Sequence, residues 1–589
     1  MSSLLNATVA TGPTAGTLAP HSQLFLSTTD YVVFTSMLGI SAAIGVYFGF
    51  FAKGADTTEE YLMGGKRLRM VPIAISLVAS QLSAISIMSI PAEMYAYGIN
   101  WMFTVVSMVL VVPLLNYVVI PVFYNNHITN CYEYLELRFC REMRVMQTFI
   151  FIISTFFMLP IIIFLPSLAF AQVTGYNVHV INVVVSSICI FYTMFGGIKA
   201  VVWTDVIQAA IMVMSVVLVG VLGAYRVGGL SEVLRIAGEG GRLDINYNFD
   251  LSTRSTIWNV FTSATLTWSG YVGLNQSCVQ RIVALPSLGH ARRSLVIFGF
   301  GFILIMLFNS FTGIVIYSRF QDCDPIQAGQ VSKLDKIVPY FVQDTVGHLR
   351  GMPGVFISCV FSAALSTLSA GINSLGGVVY FDYIKPYIKH TEHRANVIMK
   401  LFVLFTGVYC VFGGLVVQNF NSILQVIYSI GGISFGSTCG AFLLGMLVPK
   451  SHGRAAVTGV LASIVCMATI VILSWGRNHY DPLPMSSASC PAPPSNATIG
   501  TGATLFHGSK DPVGEEGFSI LDLSFNWYMV AGFVITWLVA LPLSYILKPR
   551  SDFKLDPKLL SPVVRHFAIF KPTPAAEPHQ LKLETCQTV

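Results

Sequence analysis

The chain has 589 residues, of which 54% are hydrophobic and only 11% charged, with a mean hydropathy of +0.69 and a formal net charge of +6. Soluble domains carry about a quarter charged residues, so this composition excludes an ordinary soluble enzyme and reads as an integral membrane protein. The positive charge calls for no nucleic acid, because the basic residues fall mainly in alternate loops: Lys53, Lys66, Arg67, Arg69; Arg138, Arg141, Arg144; Arg281, Arg292, Arg293; Lys385, Lys389, Arg394; and Lys450, Arg454. That is the positive-inside bias, and it places those loops on the cytoplasmic side.

Thirteen apolar runs of about the ~20 residues that cross a bilayer lie near 31–51, 70–97, 101–124, 146–173, 178–195, 200–222, 256–278, 295–319, 354–380, 395–417, 423–447, 455–475 and 525–547. The fold class expected is therefore an all-α polytopic membrane protein. An odd number of crossings puts the tail 1–30 outside and the tail 548–589 inside. The first thirty residues hold no Lys or Arg and so lack the basic start of a signal peptide. Asn6-Ala7-Thr8 and Asn496-Ala497-Thr498 are glycosylation sequons on the expected outer face; Asn275-Gln276-Ser277 also matches but lies in or beside a span. Most of the eleven cysteines fall in spans or on the inner face, as small hydrophobes or reduced thiols; Cys323 and Cys490 fall in outer loops, with a separation that sequence does not set.

In chain order, 31–51 is a plain apolar span. The span 70–97 is different, carrying Ser76, Ser80, Gln81, Ser83 and Ser86. An interruption near 80–83 would turn its freed carbonyls toward a cavity, the setting in which irregular backbone is tolerated at membrane depth. Asp205 falls near the cytoplasmic end of a span, where a carboxylate marks an ion pathway or a solvated helix end. Trp268 and Tyr271, by spacing alone, are packing aromatics.

The stretch 354–380 is long enough to span and carries hydroxyls in its middle. Ser366 and Thr367 turn back toward the carbonyl near Ala363, and three neutral oxygens suit a hard, weakly held cation such as Na+. Close helix packing by Ser and Thr is the alternative. Gly432, Gly436 and Gly440 form a small-residue stripe for close packing, and Gln425 before it either lines a cavity or closes an interhelical hydrogen bond. The proline-rich stretch 476–520 reads as an irregular outer loop, and 548–589 as a polar, disordered cytoplasmic tail. The end Gln587-Thr588-Val589 has the apolar terminus of a PDZ-type ligand but lacks Ser or Thr two residues before the end.

Several segments carry a resemblance. Pro91-Ala-Glu-Met-Tyr-Ala-Tyr-Gly98, Tyr132-Glu-Tyr-Leu-Glu-Leu-Arg-Phe139, Gly196-Gly-Ile-Lys-Ala-Val-Val-Trp-Thr-Asp-Val-Ile-Gln208, Asn275-Gln-Ser-Cys-Val-Gln-Arg281 and Ser362-Ala-Ala-Leu-Ser-Thr-Leu-Ser-Ala-Gly-Ile-Asn-Ser374 resemble signature segments of the sodium/solute symporter family, over roughly residues 30–450. The likeness is to the branch carrying iodide, monocarboxylates and vitamins more than to the sugar branch.

The resemblance implies two inverted five-helix repeats, about 70–222 and 256–447, with one helix before and two after, in a transporter domain 31–547 of a multi-pass plasma-membrane protein. It implies Na+-coupled symport of a small anion by alternating access, with the bilayer and the solute as partners, Na+ as the co-transported ion and no organic cofactor. A neutral-solute symporter, a non-transporting sensor or a channel are the competing readings; no nucleophile, metal cluster or phosphate loop speaks for an enzyme. Carried over from the family motif, the sodium ligands are the carbonyls of Ala79, Leu82 and Ala363 and the hydroxyls of Ser366 and Thr367. Ser83, Asp205, Gln208 and Gln276 are candidates for a second ion, and Gln81, Trp268, Tyr271, Asn275 and Gln425 for the substrate. One departure is Phe164, where the anion branch usually has a Tyr, so that a hydroxyl is missing.

Overall fold

The computed structural model describes residues 26–51, 61–62, 64–66, 68–388, 391–418, 423–474, 477, 480–490, 519–547 and 555–567. Asn6, Asn496 and the C-terminal triplet lie outside them. The described residues hold ten helices long and apolar enough to cross a membrane, or eleven if one bent pair counts as a single span.

The first helix, α1, runs Thr28–Val46; Ser27 caps it and Asp30 closes the reciprocal bond. The bent pair is α2, Met70–Gln81, and α3, Ala84–Tyr97, meeting at 56°. The ladder ends with Leu82 N–H donating to Val78 O and resumes with Ile87 N–H to Ser83 O. The carbonyls from Ala79 to Leu82 are thus the orphan acceptors of a helix end, at membrane depth. Then follow α4, Ile99–Asn125, a short α5, Glu133–Arg138, and α6, Arg141–Thr174.

The expected spans 178–195 and 200–222 appear as one helical stretch, α7, Val178–Val227, broken only at Gly197 with φ 55° and ψ −156°. A straight helix of that length would reach about 75 Å, more than twice the hydrocarbon core. It does not run straight. Gly45 packs on Tyr192 and Gly49 on Phe195, so the first leg runs parallel to α1; Gln208 donates to Ser41 Oγ at 3.4 Å, further back along α1, so the second leg runs the opposite way. Gly197 is required there, because a Cβ would stand 2.8 Å from the Tyr61 ring as well as needing a left-handed backbone.

The second half has its own interrupted helix: α8, Ile257–Gly273, and α9, Gln276–Val283, are separated by Leu274 and Asn275. After it come α10, Leu288–Arg319; α11, Met352–Val379; α12, Glu392–Val417; α13, Ile423–Leu447; α14, Gly453–Ser474; and α15, Tyr528–Ile546. The glycine stripe packs as expected: a Cβ at Gly432 would meet Tyr528 at 2.5 Å, and one at Gly440 would meet Thr536 at 2.7 Å, so α13 and α15 lie backbone to backbone.

Two expectations about loops need correction. Arg138 and Arg281 were counted among loop charges, but they are 1% and 2% exposed. Arg138 ties the carbonyls of Gly445, Val448 and Ser451 together, which gathers the end of α13, and Arg281 pairs inside the bundle. A planar guanidinium serves several carbonyls at once, so burial is compensated. The tail read as disordered includes a packed stretch: Leu560 and Ser561 are fully buried, Ser561 N–H donates to Met446 O, and the carbonyls of Leu559 and Lys558 accept from Tyr134 Oη and Asn126 Nδ2. The sequence leaves the separation of Cys323 and Cys490 open; in the fold they are joined, with Cα atoms 4.9 Å apart.

The packed tail gives a direct expectation. Truncation after residue 554 should remove two buried leucines and three hydrogen bonds to distant residues and cost about 2–5 kcal/mol. Thermal melting of the purified protein should therefore fall relative to the full-length chain; equal melting of the two would show this stretch to be unattached.

Candidate functional site

A cavity of about 180 Å³ sits where the two helix breaks meet. From the first break come Ser80, Gln81, Ser83 and Ser86; from the second, Trp268, Tyr271, Asn275 and Ser277. Most of the remaining wall is supplied by α6 (Ser154, Thr155, Met158, Leu159), α11 (Thr367, Gly371, Ser374) and α13 (Leu424, Ile427, Tyr428), with Trp101 and Thr104 from α4 and Met306 from α10. None of the lining residues carries a full charge.

Each break is built from its own residues. Ser83 starts α3 in extended conformation without a side-chain cap, leaving its hydroxyl to the cavity. Asn275 starts α9, its Oδ1 accepting from Ser277 N and Oγ at 2.9 Å each. Two helix N-termini therefore face the same space, and the half-positive ends of helices favour an anionic group. Gln81 reaches across from the first break to the second, donating to Cys278 Sγ at 2.8 Å. Trp268 packs on Phe302 with centroids 4.4 Å apart and Tyr271 stacks on Phe435 at 4.3 Å, so both are packing aromatics and cavity walls at once.

The expected sodium ligands gather in part. Thr367 Oγ1 stands 3.0 Å from both Ala363 O and Ser80 O, which joins α11 to the first break. Ser80 lies between Ala79 and Leu82, and its carbonyl is the one the hydroxyl reaches. Ser366 points about a third of a turn away and is fully buried, its Oγ without a close hydrogen-bond partner among the described residues. It lies against the Asp205 carboxylate.

Asp205 is no solvated helix end. It is fully buried, accepts from Ser76 Oγ at 2.7 Å and lies 3.2 Å from Arg281 Nη2. Arg281 Nη1 in turn donates to Ser76 O at 3.0 Å, so the triad links α2, the second leg of α7 and α9. Among the described residues Asp205 Oδ1 has no close hydrogen-bond partner.

Other candidates land elsewhere. Gln276 is spent on backbone, accepting from Cys131 N at 2.8 Å and donating to Thr129 O at 3.0 Å, because it fastens the α4–α5 connection. Gln208 faces α1 through Ser41 rather than the cavity. Gln425 is not a wall residue; its helix presents Leu424, Ile427 and Tyr428 to the cavity instead. Phe164 packs toward Gly414 of α12, while Ile162 faces the cavity. Sequence reasoning missed Thr104, Ser154, Thr155 and Tyr428. Only their helical phase reveals them, and the phase needs a known partner helix.

A multi-pass helical bundle with two interrupted helices, whose broken ends share one uncharged, largely apolar cavity dotted with hydroxyls and amides, is the architecture of a secondary transporter. Residues 61–463 match the family model for the sodium:solute symporter family, and the chain belongs to that family. It is 36% identical over 561 residues to sodium-coupled monocarboxylate transporter 1 of Mus musculus, covering 92% of this chain and 91% of that protein. It is 34% identical over 534 residues to a putative sodium-dependent multivitamin transporter of Drosophila melanogaster, covering 88% and 87%. In fold it is similar to a Na+-coupled sialic acid symporter solved in a substrate-bound, outward-open state, with TM-score 0.73, 24% identity and coverage of 90% and 100%.

Proposed function

We propose that this protein is a plasma-membrane symporter that couples Na+ entry to uptake of a small monocarboxylate by alternating access. The cavity carries the reading. Its volume of about 180 Å³ compares with the ~150 Å³ that accommodates benzene, so it suits a solute of few heavy atoms and disfavours a long-chain vitamin. With no cationic wall residue, a carboxylate would be balanced by the N-termini of α3 and α9, by Ser83 and Ser277, and by the bound ion. The alkyl end would rest on Met158, Leu159 and Ile427.

In this reading sodium binds between Ala79, Leu82, Ala363, Ser366 and Thr367, and Asp205 serves a second ion or its coupling. Thirteen crossings arise when α7 counts as two and α8–α9 as one, arranged as inverted repeats 70–222 and 256–447. The disulfide end of the bundle then faces outward, with Asn6 and Asn496 as glycosylation acceptors.

Energetics favour more than one ion. A tenfold sodium gradient contributes about 1.4 kcal/mol, and one net charge crossing 100 mV adds ~2.3 kcal/mol. One Na+ with one monoanion is electroneutral and supports only about tenfold accumulation; two Na+ support several thousandfold. Proteoliposomes given an inward sodium gradient should accumulate a labelled short-chain monocarboxylate, saturably, with counterflow and an inward current. Hexose uptake with no carboxylate uptake would overturn the substrate class, and binding or current without accumulation would overturn symport.

A further inference from the structure

The cavity is roofed toward the disulfide end by two layers of side chains. The inner layer is Trp101 against Tyr428, with ring centroids 5.6 Å apart. The outer layer is Phe525 against Tyr428 at 5.6 Å and against Tyr480 at 6.0 Å. Arg254 sits at the centre of that outer layer, 4.1 Å from the Tyr97 ring and 4.9 Å from the Phe525 ring.

Its partner is Glu93, which accepts from Arg254 Nε at 2.7 Å and Nη2 at 2.8 Å. Both side chains are buried, 9% and 3% exposed. Glu93 belongs to α3, one turn beyond the wall residue Ile90, and Arg254 lies just before Thr256, the cap of α8. The ion pair therefore joins the outer halves of the two interrupted helices. Arg254 O, meanwhile, accepts from Ser524 Oγ at 2.9 Å and Asn526 Nδ2 at 2.7 Å, which fixes the same residue to the segment leading into α15. A bidentate guanidinium stacked on aromatic faces is a rigid joint, and Lys reproduces neither the fork nor the stacking.

We infer that Arg254 and Glu93 are positioning residues of the transport cycle: they make the outer halves of α3 and α8 one lid and seat it on Phe525, so that entry from this face requires the seat to release. The inference rests on the alternating-access reading and on the disulfide end facing outward.

The test uses the full-length protein with a cysteine at the wall position, Thr104→Cys, and a membrane-impermeant thiol reagent added outside cells. In the Glu93→Gln and Arg254→Gln backgrounds modification should be faster by about tenfold, the effect on an equilibrium of a lost charge-assisted hydrogen bond. The apparent KM for external sodium should fall while the maximal rate falls too, and Arg254→Lys should lie between. A merely structural pair would lower surface abundance and maximal rate together without changing either the modification rate or KM. Unchanged modification in both Gln variants, with protein at the surface, overturns the lid. Faster modification only from the opposite side, in inside-out vesicles, keeps the lid and overturns the face assignment; faster modification in a protein that accumulates no solute keeps the lid and overturns symport.

Discussion

Replacing Asp205 by Asn is expected to lower surface abundance strongly and to impair sodium dependence in what remains. Arg281 is 2% exposed and pinned by Ser76 O, so it stays buried when its counter-charge is removed. Breaking a buried pair from one side costs about 3–5 kcal/mol, and surface abundance should fall accordingly. The molecules that reach the surface carry the second expectation. If Asp205 Oδ1, which has no close hydrogen-bond partner among the described residues, faces the ion pathway, sodium affinity should fall about ten- to a hundredfold, the worth of an interaction with a charged oxygen.

The two effects separate in the double variant Asp205→Asn with Arg281→Gln. It removes both charges, so folding should recover. Sodium and voltage dependence should stay impaired. Recovery of both folding and sodium dependence would reduce the triad to a structural clamp between α2, α7 and α9.

Thr367→Ala is expected to shift the sodium activation curve about five- to a hundredfold to higher concentration, the range for a lost buried ligand of 1–3 kcal/mol. Alanine fits a helix at least as well as threonine, and Thr367 makes one contact with Ser80 O of the first break and one with Ala363 O of its own helix. Expression should therefore survive. Coupling is reciprocal, so solute affinity at fixed sodium should fall and rising sodium should partly restore it. Ser374 lines the cavity and cannot serve as a control; Ser544, which back-bonds to Ala540 O in α15, can. A sodium curve that stays in place in a transporting Thr367→Ala protein would return the hydroxyl to helix packing.

The sequence by itself determined the solvent this chain folds in. Long uncharged runs have no low-energy place in water, and in hydrocarbon only a helix pairs their backbone, so the spans and their approximate ends follow from composition alone. Ser80 to Ser83 marked the first interruption, because polar residues at that depth are tolerated where backbone faces a cavity; the second, at Leu274 and Asn275, emerged with the fold. The motif segments pointed to the family for the same stretches.

What the tertiary structure decided is where each polar group spends its hydrogen bonds. Gln276, Gln81 and Asn275 are alike in sequence, yet one fastens a loop, one bridges the breaks and one caps a helix. Arg281 and Arg138 look like loop charges until partners from distant helices account for their burial. The reversal at Gly197 is equally non-local, since its need for glycine comes from Tyr61, far away in the chain. A side chain's local pattern sets its helix and its phase, but whether it serves ion, solute or structure depends on which neighbour it meets across the bundle, and that is fixed only when the helices pack.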